Sequence, residues 1–305
     1  MTRTRPPRLR EGDTDAVDAP AGPVDETRLT EGVAVLESWG LTVRVGDHVL
    51  DRHPRLPYLA GRDADRARDV RRAWCDPGVD AVLCARGGYG SQRVLDLLDW
   101  ADMAAAGPKV FAGSSDVTAL HSAFGQALDL VTLFAPMVAG ALFDTGAREH
   151  LRATLFEPET VRVLSGPRVA TAEHGAAEGV IVGGTLSLLA AEVGSLDAAP
   201  PSDGAILLLE DIGEEPYRVD RMLTQLLRAG WFTQVSGIAL GSWSGCGEPD
   251  AVYAVVADLL GGLGVPMVWE LGFGHCPDQL TIPLGVRARL DADDGTLTLD
   301  EPALA

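Results

Sequence analysis

Three side chains far apart in this 305-residue chain could together cleave an amide bond: Ser115, Glu210 and His275. Ser115 stands in Lys109-Val-Phe-Ala-Gly-Ser-Ser-Asp-Val-Thr-Ala-Leu-His121. The apolar run Val110-Phe-Ala112 reads as a strand, Gly113 and the serine pair as a sharp turn. Asp116 then opens a segment that sets Leu120, Phe124 and Leu128 on one helical face. Such a turn exposes a hydroxyl and aims backbone N–H groups and the positive end of a helix at whatever binds there. Acyl transfer needs both a reachable nucleophile and donors for the developing oxyanion. Taken alone, the same residues also read as an ordinary Ser-Asp helix cap. Glu210 ends the apolar run Ala205-Ile-Leu-Leu-Leu209, where a carboxylate can be aimed. Asp211, Glu214 and Glu215 behind it read as favourable charges ahead of a helix opened by Pro216. His275 lies in a loop, Gly272 to Gly285, that contains two prolines and three glycines. His48, His53, His150 and His174 fall in polar segments and read as surface residues, and His121 rides the helix after the serine. A lone loop histidine is ordinarily solvated. Beside a serine elbow and an aimed acid it points to a Ser–His–Glu triad.

The glycines of Arg86-Gly-Gly-Tyr-Gly90 could present N–H groups to an anion or oxyanion. The G-x-G-x-x-G spacing of a dinucleotide site is absent, and a tight strand-to-helix turn is the alternative reading.

These residues need elements to hold them. In the first half, helix-like segments (Asp25 to Ser38, Asp63 to Trp74, and one holding Val94, Leu95, Leu97 and Leu98) alternate with strand-like runs. The runs are Leu41 to Val45, Ala81 to Ala85, the elbow strand and Leu130 to Phe134. That alternation predicts an α/β fold with a doubly wound, mostly parallel sheet, whose ligands bind beyond the carboxyl ends of the strands. The glycine loop and Ser115 both fall at such ends. Residues 149–179 read as a connection, giving an N-terminal nucleophile domain over 1–160 and a C-terminal domain over 161–305 that carries the Glu and the His. The second half mixes short apolar runs with a helix from Pro216 to Ala229, whose buried stripe is Val219, Met222, Leu223, Leu226 and Leu227. Asp293-Asp294-Gly295 between two apolar runs signals a hairpin. This half is expected to be a smaller, β-rich α/β unit.

Composition excludes several classes. With 25 Lys and Arg against 44 Asp and Glu, the net charge of -19 repels phosphate backbones, so nucleic acid is not an expected partner. The early arginines have no apolar run behind them, and no stretch has the length of a membrane span, so neither a secretory signal nor a membrane partner is expected. The four cysteines have no paired short spacing, which fits a reduced cytoplasmic setting and gives no metal motif around His275, Cys276 and Cys246.

Read together, Ala19-Pro-Ala-Gly-Pro-Val24, Ala85-Arg-Gly-Gly-Tyr-Gly90, Gly113-Ser-Ser-Asp-Val-Thr-Ala-Leu120, Gly183-Gly-Thr-Leu186, Leu209-Glu-Asp-Ile-Gly-Glu-Glu-Pro-Tyr-Arg-Val-Asp-Arg-Met-Leu223 and the Gly274-His275 loop make the chain resemble the LD-carboxypeptidase family of serine peptidases. The pieces occur in family order over nearly the whole chain. The resemblance implies hydrolysis of the bond to a terminal D-amino acid in a cytoplasmic murein tetrapeptide, without metal or cofactor, by a homodimer. It implies Ser115 as nucleophile, His275 as general base and acid, Glu210 as the residue orienting the imidazole, and the N–H groups of Gly88 and Asp116 as oxyanion donors. Three positions depart from the family pattern. Asp15 and Asp18 interrupt an apolar first strand, so that strand is expected to be partly exposed or its carboxylates paired. Thr185 replaces an asparagine, losing an amide contact, and Phe134-Ala135-Pro136 replaces a His-Gly-Pro.

A sister branch hydrolyses microcin C-type acyl-sulfamoyl adenylates through a longer loop bearing an aromatic residue. Here the stretch from Leu186 to Ala205 is short and has no aromatic residue, which favours the peptide branch. A non-catalytic binding protein on the same fold would suit Thr185 and Phe134, but not the retained Ser115, Glu210 and His275. An α/β-hydrolase fails because residue 117 is Val and no G-x-S-x-G exists.

Overall fold

The first-half alternation resolves into the expected parallel sheet. The computed structural model describes residues 3–195, 198, 200–201 and 204–305. In chain order the first half contains β1 (Thr14–Asp18), α1 (Glu26–Ser38), β2 (Thr42–Val45), α2 (Asp63–Cys75) and β3 (Ala81–Cys84). It continues with α3 (Trp100–Ala105), β4 (Val110–Gly113), α4 (Thr118–Ala127), β5 (Thr132–Phe134) and α5 (Thr145–Phe156). Caps set several of these starts: Asp25 accepts from Arg28 N ahead of α1, and Asp144 from Ala147 N ahead of α5. The segment around Val94–Leu98, expected as a helix, instead forms two short 3-10 turns, Ser91–Arg93 and Leu95–Leu97. Asp99 caps α3 by accepting from Asp102 N, and the extended Leu98 before it ends any helix there.

The second half comprises β6 (Val163–Leu164), β7 (Ala170–Glu173), β8 (Ala176–Thr185), α6 (Leu186–Glu192), β9 (Ala205–Ile212), α7 (Pro216–Arg228) and β10 (Val235–Ser244). Then come α8 (Pro249–Leu260), β11 (Met267–Trp269), β12 (Ile282–Leu284), β13 (Arg287–Asp291) and β14 (Thr296–Leu299). The segment 149–179 is thus more than a connection, since it holds most of α5, β6, β7 and the start of β8. The predicted Asp-Asp-Gly hairpin is β13–β14, paired antiparallel.

Two sheets result. The first has six strands in the order β12-β5-β4-β3-β1-β2, and the second eight in the order β6-β14-β13-β8-β9-β10-β11-β7. β1 to β5 pair in parallel, while β12 adds antiparallel to β5 with Ile282 opposite Phe134. The chain therefore returns from its second half to complete the first sheet. Val131 and Phe134 share one buried cluster with Ile181, Ile206, Leu208 and Val268, so the two sheets are joined through apolar packing. On the other face of the second sheet, α6, α7 and α8 bury Leu186, Leu223, Leu226, Val252 and Val256.

β1 contradicts both outcomes expected for its acids. It lies between β2 and β3, and Asp15 and Asp18 are 0% and 1% exposed, with no side-chain hydrogen-bond or ion-pair partner among the described residues. A parallel strand covered on both faces leaves no solvent for a side chain of either parity. The acids meet this by holding their protons. Burial, then the charge of Asp69, pushes Asp18 up to about 7, and burial, then Asp18, drives Asp15 well above its usual range.

Candidate active site

Ser115 opens a 3-10 turn, Ser115–Val117, between the end of β4 and α4. Its φ of 58° lies in the left-handed region, which costs a non-glycine residue roughly 1–2 kcal/mol. Such strain at a strand-to-helix turn holds a side chain up off the sheet edge. The side chain is half-buried, with the glycine loop against it: a Cβ on Gly87 would lie 2.8 Å from Ser115 Cβ and 3.4 Å from the Asp116 nitrogen. Gly87 must therefore be glycine.

Gly88 is exposed, at φ +104°, and its N–H makes no backbone hydrogen bond among the described residues. Asp116 is the second residue of its turn, where a backbone N–H has no intrahelical partner. Both candidate oxyanion donors are thus neighbours in sequence of the residues, Gly87 and Ser115, that pack together here. The Asp116 carboxylate is buried and accepts from Ser91 N at 2.7 Å, tying the far end of the glycine loop to the turn. Burial raises its pKa, opposed by hydrogen bonds from Ser91 and the charge of Arg66.

Glu210 and His275 come together. The carboxylate is fully buried at the carboxyl end of β9, and its Oε2 lies 2.7 Å from His275 Nδ1, whose backbone N–H donates to the same oxygen at 3.2 Å. The other oxygen accepts from Thr185 Oγ1 at 2.5 Å. Thr185 thus supplies the hydroxyl contact at the position where an amide contact was expected to be lost. A Cβ on Gly274 would lie 2.4 Å from Oε2, so only glycine lets the loop backbone close over the acid. Burial alone would lower the His275 pKa, but the hydrogen bond and charge of Glu210, with Asp211 behind, outweigh it and hold it above its ordinary value. With Nδ1 engaged, Nε2 is the ring nitrogen left for proton transfer.

The His275 loop is anchored to the first sheet at both ends. Phe273 packs edge-on against Phe134 at 6.0 Å, and the loop finishes in β12 beside β5. Because β12 is antiparallel to β5, the loop enters over the same carboxyl edge from which Ser115 rises. Asp278 N donates to Asp144 at 3.0 Å and Thr281 N to His150 Nδ1 at 3.0 Å. His150, expected at the surface, is half-buried against this loop, and burial lowers its pKa to about 4. Thr185 N also donates to Thr118 Oγ1 at 3.1 Å, so a continuous chain runs from the first turn of α4 through Thr185 and Glu210 to His275. No hydrogen bond joins Ser115 to His275 directly among the described residues; the shared sheet edge and this chain relate them.

Supporting residues escaped the sequence reading. Arg66 lies in the helix expected over Asp63 to Trp74, yet its side chain is 1% exposed and donates to Pro20 O, to Gly90 O at 2.9 Å and to Asp63 at 2.5 Å, tying the end of the glycine loop to the segment at Pro20. Nothing in the helical periodicity of α2 separates it from its solvated neighbours. His121 is buried with its Nε2 on Gly113 O at 2.8 Å and its pKa lowered to about 4, a neutral brace at the end of β4. Potential metal ligands gather among the described residues only at His48, Asp51 and Asp65, none of them a candidate triad member. Of the stretch Leu186 to Ala205, residues 196, 197, 199, 202 and 203 lie outside the described residues.

Both halves of the chain are similar to known proteins. A family model described as the LD-carboxypeptidase N-terminal domain matches residues 16–135, and one described as the LD-carboxypeptidase C-terminal domain matches residues 178–290. A provisionally named carboxypeptidase of Streptomyces coelicolor is 59% identical, over 98% of this chain and 97% of its own. The murein tetrapeptide carboxypeptidase of Pseudomonas aeruginosa is 32% identical, over 91% of this chain and 93% of its own. Among solved structures, MccF in complex with glutamyl sulfamoyl guanosine superposes with a TM-score of 0.87 at 23% identity, covering 99% of each chain, a likeness of fold.

Proposed function

The chain belongs to the LD-carboxypeptidase family, and from that premise we propose that it is a serine hydrolase releasing the terminal D-amino acid of a murein tetrapeptide in cytoplasmic cell-wall recycling. The observation that carries the reading is the buried Glu210–His275 pair, 2.7 Å apart, on a loop that ends as a strand of the Ser115 sheet. In this reading His275 Nε2 takes the proton of Ser115 Oγ as the oxygen attacks the scissile carbonyl. The N–H groups of Gly88 and Asp116 hold the resulting oxyanion. The imidazolium, stabilised by Glu210, passes the proton to the departing amine as the C–N bond breaks. Water then repeats the attack on the acyl-serine, giving its proton to His275, and the serine leaves with that proton.

The reading predicts that the purified protein releases D-alanine from a murein tetrapeptide, and that Ser115→Ala lowers kcat by roughly 10⁴–10⁶ with an unchanged melting curve. Release by the variant at the normal rate would end the serine assignment. A peptidyl-sulfamoyl adenylate offered alongside separates the two branches, and turnover of that compound alone would reject the murein peptide as substrate.

A further inference from the structure

We propose that Arg52 and Arg86, with the exposed Tyr58–Tyr89 pair, form a subsite that holds the internal carboxylates of an acidic peptide at the mouth of the Ser115 site. The inference rests on the reading of the site as a peptide hydrolase and adds the residues that grip the stem of the peptide.

Three loops meet beside the candidate nucleophile. Gly22 N donates to Gly87 O at 2.9 Å and Ala60 N to Ala21 O at 2.9 Å, so the segment 20–24 lies between the 52–60 loop and the glycine loop. On this seam the two guanidinium groups are anchored to consecutive carbonyls, Arg86 to Pro23 O and Arg52 to Val24 O at 2.5 Å, with Arg52 also donating to Leu50 O and Asp51 O. Neither has a carboxylate within ion-pair distance among the described residues, whereas Arg44, Arg71, Arg72 and Arg93 each do. In a chain of net charge -19, two anchored cations with no acidic ion-pair partner among the described residues stand on one seam beside the glycine loop. A guanidinium has five donors in a fixed fork, and the carbonyl anchors occupy three of them in Arg52 and one in Arg86, leaving the others for a carboxylate. The overall charge would repel an acidic peptide, so local cations are what could draw it to this edge.

Tyr58 and Tyr89 are 49% and 48% exposed, with ring centroids 5.6 Å apart at 74°. Tyr89 follows Gly88 directly, so the pair begins one residue from a candidate oxyanion donor. Exposed aromatic faces beside oriented cations suit the aliphatic stems that separate carboxylates along such a peptide. Arg93 is already engaged by Asp63, whereas the guanidinium groups of Arg52 and Arg86 are bound to backbone carbonyls.

The test uses the full-length protein with the tetrapeptide and with an analogue whose internal carboxylates are amidated, its terminal carboxylate left free. Arg52→Gln and Arg86→Gln should each raise KM for the tetrapeptide by about tenfold with kcat held within about twofold. Arg86→Lys should recover part of the loss, and the amidated analogue should show a high KM that neither substitution changes. Unaltered KM in both Gln variants, or equal sensitivity with the analogue, overturns the subsite while leaving D-alanine release by the wild type intact. If the wild type releases nothing, calorimetric binding of the tetrapeptide decides. Affinity lost in the Gln variants upholds the subsite without the hydrolase reading, and absent binding removes both.

Discussion

The chemistry of this site depends on how one buried carboxylate is satisfied. Glu210 accepts from Thr185, from the His275 ring and from the His275 backbone, so both of its buried oxygens are partnered. Its charge favours the imidazolium, and the base form of His275 must therefore be generated against that pull. The acid limb of kcat/KM should fall with an apparent pKa above the ordinary histidine value, in line with the raised pKa of His275. Glu210→Gln removes the stabilising charge, so the limb should move to lower pH while kcat falls by about 10²–10⁴. A pH–rate profile of the two proteins checks both the shift and its sign, and an unmoved or raised limb would dissociate Glu210 from the imidazole. At this scale the sequence was legible where a residue type is rare for its setting: a serine at a turn, an acid at a strand end, a histidine in a proline-rich loop. Arg66 and Thr185 were not legible as supports, because their partners come from segments 24 and 25 residues away that only the folded chain brings near.

Among the elements, β1 carries the sharpest conflict between local sequence and environment. Asp15 and Asp18 are buried in a central strand without a side-chain partner among the described residues, and burial raises the pKa of both. A carboxyl whose folded-state pKa is raised stabilises the fold fully below its unfolded value and loses that contribution as pH rises through the folded value. For Asp18 the window runs from 3.8 to about 7, a span worth on the order of 4 kcal/mol. Asp18→Asn cannot ionise. Its stability relative to the wild type should therefore rise by a few kcal/mol between about pH 5 and about pH 8, read from urea midpoints at the two values. A difference that stays constant with pH would mean that Asp18 is not protonated in the fold. Strand and helix positions were largely readable from periodicity, as α1, α2, α7 and the β13–β14 hairpin show. The Val94–Leu98 segment was not, since an apolar cluster fits a buried turn as well as a helix and Asp99 decided the matter. The burial of His150 was hidden too, because it depends on a loop more than a hundred residues later in the chain.

Across the whole molecule, the proposed function depends on one topological act, the return of β12 to the edge of the first sheet. That return carries the His275 loop over the carboxyl edge of β4 and β5, the edge from which Ser115 rises, and sets its imidazole on a carboxylate from β9. The alternation of elements foretold the parallel sheet of the first half, but a three-residue strand inside a proline-rich loop gives no periodic signal of where it pairs. The central claim is that Ser115 and His275 act as one unit across this junction. It is tested most directly by labelling the protein with a serine-directed fluorophosphonate and locating the adduct by mass spectrometry. The adduct should fall on Ser115 in the wild type, and His275→Ala should slow its formation by at least about 10²-fold. Labelling of a different residue, or of Ser115 at the same rate without His275, would contradict the account.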